Sequence, residues 1–230
     1  DRIELRRRNL VPPSAMPYTA ASGQVYDSGD FEPMLDKAIA VSDWAGFAAR
    51  KTDSEARGMK RGLGVCSYLE VTAPAGKENG GLRFGDDGRV LMVSGTLDYG
   101  QGHRATYAQI VSARLSIPFD TFDLLQGDSD ELLVGGGTGG SRSATCGGSA
   151  VFRAAEAAIA KAKALAAHQL EASADDLEFA NGVFTIAGTD RSMTLDEVAK
   201  ISYAPGKIPD GIDAGIDERA TFSPKSANYP

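Results

Sequence analysis

Histidine, cysteine and tryptophan are scarce in this 230-residue chain, which has two His, two Cys and one Trp. Cys66 and Cys146 stand far apart with no framework spacing, which argues against a disulfide scaffold and points to a reduced, cytoplasmic setting. Cys66, His103, Cys146 and His168 are scattered, and no pair has a zinc-ligand spacing, so no protein-held metal is expected. A basic excess is missing as well: 24 Lys+Arg against 31 Asp+Glu leave a net charge of −7, unlike the footprint of a nucleic-acid binder. No apolar run approaches the roughly 18 residues of a membrane span. There is no initiator Met and no signal-like apolar region. Asp1–Leu10 reads as the last turns of a helix already under way, and both ends read as cuts within a longer protein.

Glycine is abundant, at 27 of 230 residues, about 12% against a usual 7%. Ten of these fall in two windows, Gly95–Gly102 and Gly135–Gly148. Clustering of that kind signals a local backbone requirement, because glycine admits left-handed backbone and close approach by a neighbour.

The pattern of the rest predicts an α+β (mixed α/β) fold in which antiparallel strands pack against helices. Residues 1–30 read as the end of a preceding segment followed by a Pro/Ser/Gly/Tyr-rich linker, and residues 31–230 as the main domain. Asp30 can cap a helix with Pro33 in its first turn, running to about Arg50, with Lys51–Lys60 as a polar turn. Arg61–Thr72, Gly81–Phe84 and Arg89–Ser94 suggest a three-stranded antiparallel meander, the last two strands joined by an Asp86-Asp87-Gly88 turn. Tyr107, Ile110, Val111 and Leu115 recur at helical spacing behind Gly102, and Pro118 ends that helix. Phe122–Gln126 reads as a strand. Behind the second window, Val151, Ala155, Ala158, Ile159, Ala162, Leu165 and Ala166 form the apolar stripe of a long helix, about Thr145–Leu170. Leu177–Phe179 and Val183–Ile186 form a hairpin around Asn181-Gly182, and Thr194 with Glu197 makes a capping box. The last 25 residues show no strong pattern.

Both windows feed helices, whose N-termini carry unpaired N–H groups and the positive end of the macrodipole. With Gln101, His103, Ser141, Arg142, Ser143 and Thr145 as donors, they could hold a phosphate or pyrophosphate beside a polar ring system. The bland alternative is that the glycines only make tight turns and pack helices. Two phosphate motifs fit poorly. Gly135-x-x-x-x-Gly140 has P-loop spacing, but Ser141 stands where a Lys should follow. Gly135-x-Gly137-x-x-Gly140 matches the dinucleotide fingerprint, yet the expected acidic strand end falls in the Ala-rich helix, where Glu156 is the only acid. Neither Ser141 nor Ser143 lies in a Gly-x-Ser-x-Gly elbow. His103, beside the first window, is the better functional candidate of the two histidines; His168 suits a helix C-terminus.

Asp98-Tyr99-Gly100-Gln101-Gly102-His103-Arg104-Ala105-Thr106-Tyr107, then Gln126-Gly127-Asp128-Ser129-Asp130, then Gly137-Thr138-Gly139-Gly140-Ser141-Arg142-Ser143 follow one another in order. This series resembles the molybdenum hydroxylases, the large subunits of xanthine dehydrogenase, aldehyde oxidase and carbon monoxide dehydrogenase. Asp1–Leu10 with Pro12-Pro13, and Arg61-Gly62-Leu63-Gly64 through Glu70-Val71-Thr72-Ala73-Pro74, extend the likeness along most of the chain.

The resemblance implies that this is part of the molybdopterin-binding domain. The cofactor is molybdenum-molybdopterin, in bacterial relatives usually the cytosine dinucleotide form, with the pterin dithiolene supplying the main sulfur ligands. By the same resemblance Gln101 and Gly102 approach the molybdenum end, with His103 beside them. Gly140, Ser141, Arg142, Ser143 and Thr145 belong to the loop that contacts pterin and phosphate. Tyr68 and Glu70, placed on a strand before the first window, correspond to a region near the substrate funnel. Gly139 departs from the aromatic often found there.

The implied reaction is hydroxylation of a small-molecule carbon centre with water as oxygen source. Electrons leave through iron-sulfur and FAD partner subunits, in a dimer of heterotrimers. The family's glutamate base lies in a glycine-rich motif near the C-terminus of the full subunit, and no Gly-x-Gly-Glu motif occurs before Pro230. No catalytic residue is therefore assigned, and the isolated chain is expected to be inactive and free of cofactor. The competing reading is a non-catalytic nucleotide- or phosphate-binding module.

Overall fold

In a computed structural model, residues 1–73, 76–132, 134–225 and 227 are described. They form two compact units, with the division between residues 72 and 73.

In the first unit, helix α1 (Arg2–Arg7) is capped by Asp1, whose carboxylate accepts from the Ile3 and Glu4 amides. A short hairpin follows, β1 (Tyr18–Thr19) and β2 (Val25–Tyr26), then α2 (Phe31–Val41) and α3 (Phe47–Ala56). Asp30 does stand at the N-cap of α2, although its side chain makes no capping bond. The single helix expected to Arg50 is broken at residues 42–46, where Asp43 adopts φ 46° and its carboxylate pairs with Arg50. The polar stretch after Arg50 continues α3 instead of turning. Arg7 joins α1 to α2 through Glu32 and Asp36, the second contact at 2.6 Å.

Residues 61–71 form no strand, contrary to the meander expected there. Their carbonyls meet arginines: Arg6 Nη2 donates to Val65 O at 2.9 Å and Arg2 Nη1 to Leu63 O at 3.3 Å. Arg61 in turn donates to Ser54 Oγ at 2.8 Å. The arginines of α1 thus satisfy backbone groups that a ladder would otherwise need.

The second unit is built on a four-stranded sheet. Strands β3 (Glu78–Phe84) and β4 (Val90–Ser94) form the expected hairpin, with Gly88 at φ 81° in its turn. Helix α4 (His103–Leu115) crosses over to β5 (Phe122–Leu125), which runs parallel to β4. The long helix α5 (Gly148–Gln169) lies on the sheet, and its expected apolar stripe is buried. Gly80 lets the two meet: a Cβ there would stand 2.5 Å from Val151 N. Strands β6 (Leu177–Ala180), β7 (Val183–Ile186) and β8 (Ser192–Thr194) make a second antiparallel sheet, and α6 (Leu195–Ile201) begins with the Thr194–Glu197 capping box. Asn181 and Gly182 both have positive φ, as a two-residue hairpin turn requires.

The third antiparallel strand of the main sheet comes from the segment without a pattern. Strand β9 (Glu218–Phe222) pairs with β3, giving the order β5-β4-β3-β9. Leu82, Met92, Tyr107, Val111, Phe122, Leu165, Phe184 and Leu195 belong to one core under both sheets. Among the described residues no helix is long and apolar enough to cross a membrane.

Candidate functional site

The two glycine windows are loops of the second unit that touch through bare backbone. The first leaves β4 at Gly95, and the second passes over it at Gly135. A Cβ on Gly135 would stand 2.7 Å from Gly95 O, and one on Gly95 would stand 2.8 Å from Gly135 Cα. The Gly137 amide donates to Gly95 O at 3.1 Å, and the Leu97 amide to Thr138 Oγ1 at 3.3 Å. These glycines therefore serve loop-to-loop contact. By contrast a Cβ on Gly100, Gly102 or Gly139 would meet nothing within 4 Å. Gly100 and Gly102 hold φ 109° and 75°, conformations that disfavour any side chain, so their outward peptide surface stays uncovered.

Asp98 decides what the first loop can bind. Its Oδ1 accepts from Gly100 and Gln101 at 2.7 Å and from Gly102 at 3.2 Å, while its Oδ2 accepts from the His103 amide at 2.7 Å. The His103 amide, with the glycine and Gln101 amides, holds this carboxyl below the usual carboxylate range. The expectation of open amides is thus corrected for His103 at the start of α4 and for the three residues before it, because the chain supplies its own anion there. Exposed Gln101 folds its side-chain oxygen onto the Tyr99 amide.

Behind the loops runs a buried polar network. Tyr107, fully buried on α4, donates to Ser143 O at 3.1 Å and shares a 2.9 Å hydrogen bond with Thr96 Oγ1. Burial pushes the Tyr107 hydroxyl up from its ordinary range. Ser94 Oγ lies 2.9 Å from Thr96 Oγ1. Gln126 Nε2 reaches Thr96 Oγ1 at 2.7 Å and His103 Nδ1 at 3.1 Å, and its Oε1 accepts from the Asp98 amide. Thr138 Oγ1 and Ser143 Oγ close the circuit at 2.8 Å. His103 is only 4% exposed and faces this network.

The second loop ends at Gly140 and Ser141, both exposed with positive φ, and enters α5 through a π turn over Ser143–Gly147. Turns of this kind are rare and concentrate at functional sites. Thr145 is half-buried in it, and burial raises the Cys146 thiol. Arg142, expected to face a phosphate, instead pairs with Glu78 at 2.5 Å, and the Glu78 side chain is 1% exposed. A cavity of about 200 Å³ opens between the loops beside Thr96, Asp128, Ser129 and Gly137.

The structure therefore brings Gln101, Gly102, His103, Gly140, Ser141, Arg142, Ser143 and Thr145 into one unit. Tyr68 and Glu70 lie in the first unit, both exposed, in the segment without a strand. Sequence reasoning gave no role to Glu78, Thr96, Asp98, Gln126 or Thr138. Asp98 could have been found as an acid placed before a glycine-led helix start; a lone acid at a strand start such as Glu78 carries no signal.

The molybdopterin cofactor-binding domain family matches residues 37–229. This chain belongs to that family. It is 30% identical over its full length to the carbon monoxide dehydrogenase large chain of Hydrogenophaga pseudoflava, covering 30% of that protein. It is 31% identical to the 6-hydroxypseudooxynicotine dehydrogenase complex subunit gamma of Paenarthrobacter nicotinovorans, again with all of the chain and 30% of the relative aligned. Among solved structures, quinoline 2-oxidoreductase from Pseudomonas putida 86 superposes with a TM-score of 0.72 at 30% identity, over 98% of this chain and 30% of that one. The chain thus spans about a third of the length of these molybdopterin-family relatives, and its mixed α/β fold is theirs.

The loops fit a molybdopterin cofactor. Uncovered peptide at Gly100, Gly102 and Gly139 suits a flat polar group. Among the described residues no cluster of three or more His, Cys, Asp or Glu could hold a metal.

Proposed function

We propose that this chain is the part of a molybdenum-hydroxylase large subunit that forms one wall of the cofactor cradle. The observation that carries it is the pair of glycine loops locked together from behind, by Tyr107, Thr96, Gln126 and Ser143, while their outward peptide surfaces stay bare. Residues 31–230 are read as cofactor-binding domain and 1–30 as its lead-in, a reading supported by the family match from residue 37.

In this reading Gln101 meets the molybdenum end through its exposed amide, and Gly102 leaves room for the approach. Gly140, Ser141 and Thr145 face pterin and phosphate. Ser143 and His103 work from behind, holding the loops in register through the buried network. The cofactor, in its cytosine dinucleotide form, supplies the redox centre at which a small-molecule carbon is hydroxylated with oxygen from water. Iron-sulfur and FAD subunits accept the electrons in a cytoplasmic dimer of heterotrimers.

A bare phosphate-binding module is less well supported, because Arg142 and the amides before α4 already have anions of their own, Glu78 and Asp98. The test is pterin and molybdenum content of the full-length subunit purified with its partners, wild type against Gln101→Ala. The variant should fold normally, since Gln101 is exposed, and retain several-fold less cofactor. Equal retention would refute the assignment of Gln101.

A further inference from the structure

Glu78 and Arg142 are the feature the proposed function leaves unexplained. Glu78 begins β3 and is wholly buried; its Oε1 accepts from the Asn79 amide at 2.9 Å. Its Oε2 takes Arg142 Nη2 at 2.5 Å, and the same nitrogen lies 3.5 Å from Lys77 O. Arg142 Nε is buried without a partner.

Two of the window glycines are explained by this pair. A Cβ on Gly136 would stand 2.6 Å from Arg142 Nη2, and one on Gly95 would stand 2.3 Å from Glu78 Oε1. The loops are thus bare at the points where the guanidinium passes beneath one and the carboxylate abuts the other. Turning Arg142 toward an outside phosphate would strand an ionised, buried Glu78, which is strongly disfavoured.

We propose that Glu78 and Arg142 are a positioning pair that pins the second glycine loop to the start of β3, so that the loop presents residues 137–141 to the cofactor while Arg142 itself stays with Glu78. The inference rests on the cradle reading and adds to it the device that sets the loop. Arg142 is the last residue before the π turn and Glu78 the first of β3, so one contact fixes the loop at its exit against the central hairpin. The cofactor phosphates are then met by backbone and hydroxyl groups.

The test uses the full-length subunit with its partners, in wild type, Glu78→Gln, Arg142→Met and the double variant. Amide exchange is followed by peptide, and molybdenum and pterin are assayed after gel filtration. Positioning predicts that both single variants speed exchange over residues 136–145 by roughly tenfold or more, with the α5 and α6 peptides unchanged. Both should also lose cofactor several-fold. In the double variant no charge is stranded, so it folds even where a single variant does not. Its loop exchange should remain fast and its cofactor content low.

The proposal is overturned if Glu78→Gln keeps its cofactor while Arg142→Met loses it, because Arg142 would then meet the phosphate directly. It is also overturned if the double variant regains both loop protection and cofactor, the mark of a purely structural pair. A wild-type subunit devoid of molybdenum and pterin would instead remove the cradle reading, and the exchange pattern would still decide whether the pair pins the loop.

Discussion

Replacing Tyr107 with Phe removes one oxygen from the centre of the second unit and leaves the ring in place. That oxygen donates to Ser143 O at 3.1 Å and pairs with Thr96 Oγ1 at 2.9 Å, so it links the start of α5 to the turn after β4. Both partners keep other bonds. Thr96 Oγ1 still meets Gln126 Nε2 and Ser94 Oγ, and Ser143 O still accepts the Gly148 amide. The cost is therefore that of two ordinary hydrogen bonds, about 2 kcal/mol, without the further penalty of a stranded buried group. For a chain of this size about 2 kcal/mol corresponds to a fall in Tm of roughly 4–8 °C. Thermal unfolding of the 230-residue chain followed by circular dichroism reads the shift. A change below about 1 °C would mean that the network does not hold the loops together.

Four further outcomes are expected. Gly80→Ala pushes a methyl to 2.5 Å from Val151 N and 2.8 Å from Ala150 C, both backbone atoms of α5, and should cost about 1–3 kcal/mol or more in urea unfolding. Gly64→Ala, with nothing within 4 Å, should stay within about 0.5 kcal/mol of wild type. Because its amide partners depress the Asp98 pKa, the carboxylate stabilises the fold above its unfolded value, near pH 3.9, and that contribution is lost as pH falls through the lower folded value. Asp98→Asn should therefore be less stable than wild type at neutral pH, with the gap closing below about pH 4; a gap constant with pH in acid titration would contradict this. The 230-residue chain, about a third of its relatives in length, should not turn over aldehyde or purine substrates with a dye acceptor, and measurable turnover would overturn the assignment of the chemistry to the whole subunit.

Elements set by local rules were legible in the chain itself. The stripe of α5, the helix after Gly102, the Asn181-Gly182 hairpin and the Thr194 capping box all stand where periodicity, turn chemistry and capping place them. Elements set by distant partners were not. Strand β9 has no intrinsic pattern and exists because β3 offers an edge far away in sequence. Residues 61–71 have β-forming composition, yet arginines of α1 take their carbonyls. The same distinction runs through the site. The glycine windows were visible, and so was the family resemblance they carry. Asp98, which fills the amides of one loop, had a local signal as an acid before a glycine-led helix start; that Glu78 holds the arginine of the other loop had none, since it depends on which groups the fold brings within hydrogen-bonding distance.

The most direct test of the cradle is cofactor analysis of the full-length subunit with its partners: molybdenum by elemental analysis, pterin by fluorescence after oxidation, and the released nucleotide by chromatography. The account predicts molybdenum and pterin in equimolar amounts with the subunit, a cytidine nucleotide on release, and depletion of all three in Gln101→Ala. A folded wild-type subunit with neither metal nor pterin, from cells that load their other molybdenum enzymes, would contradict it.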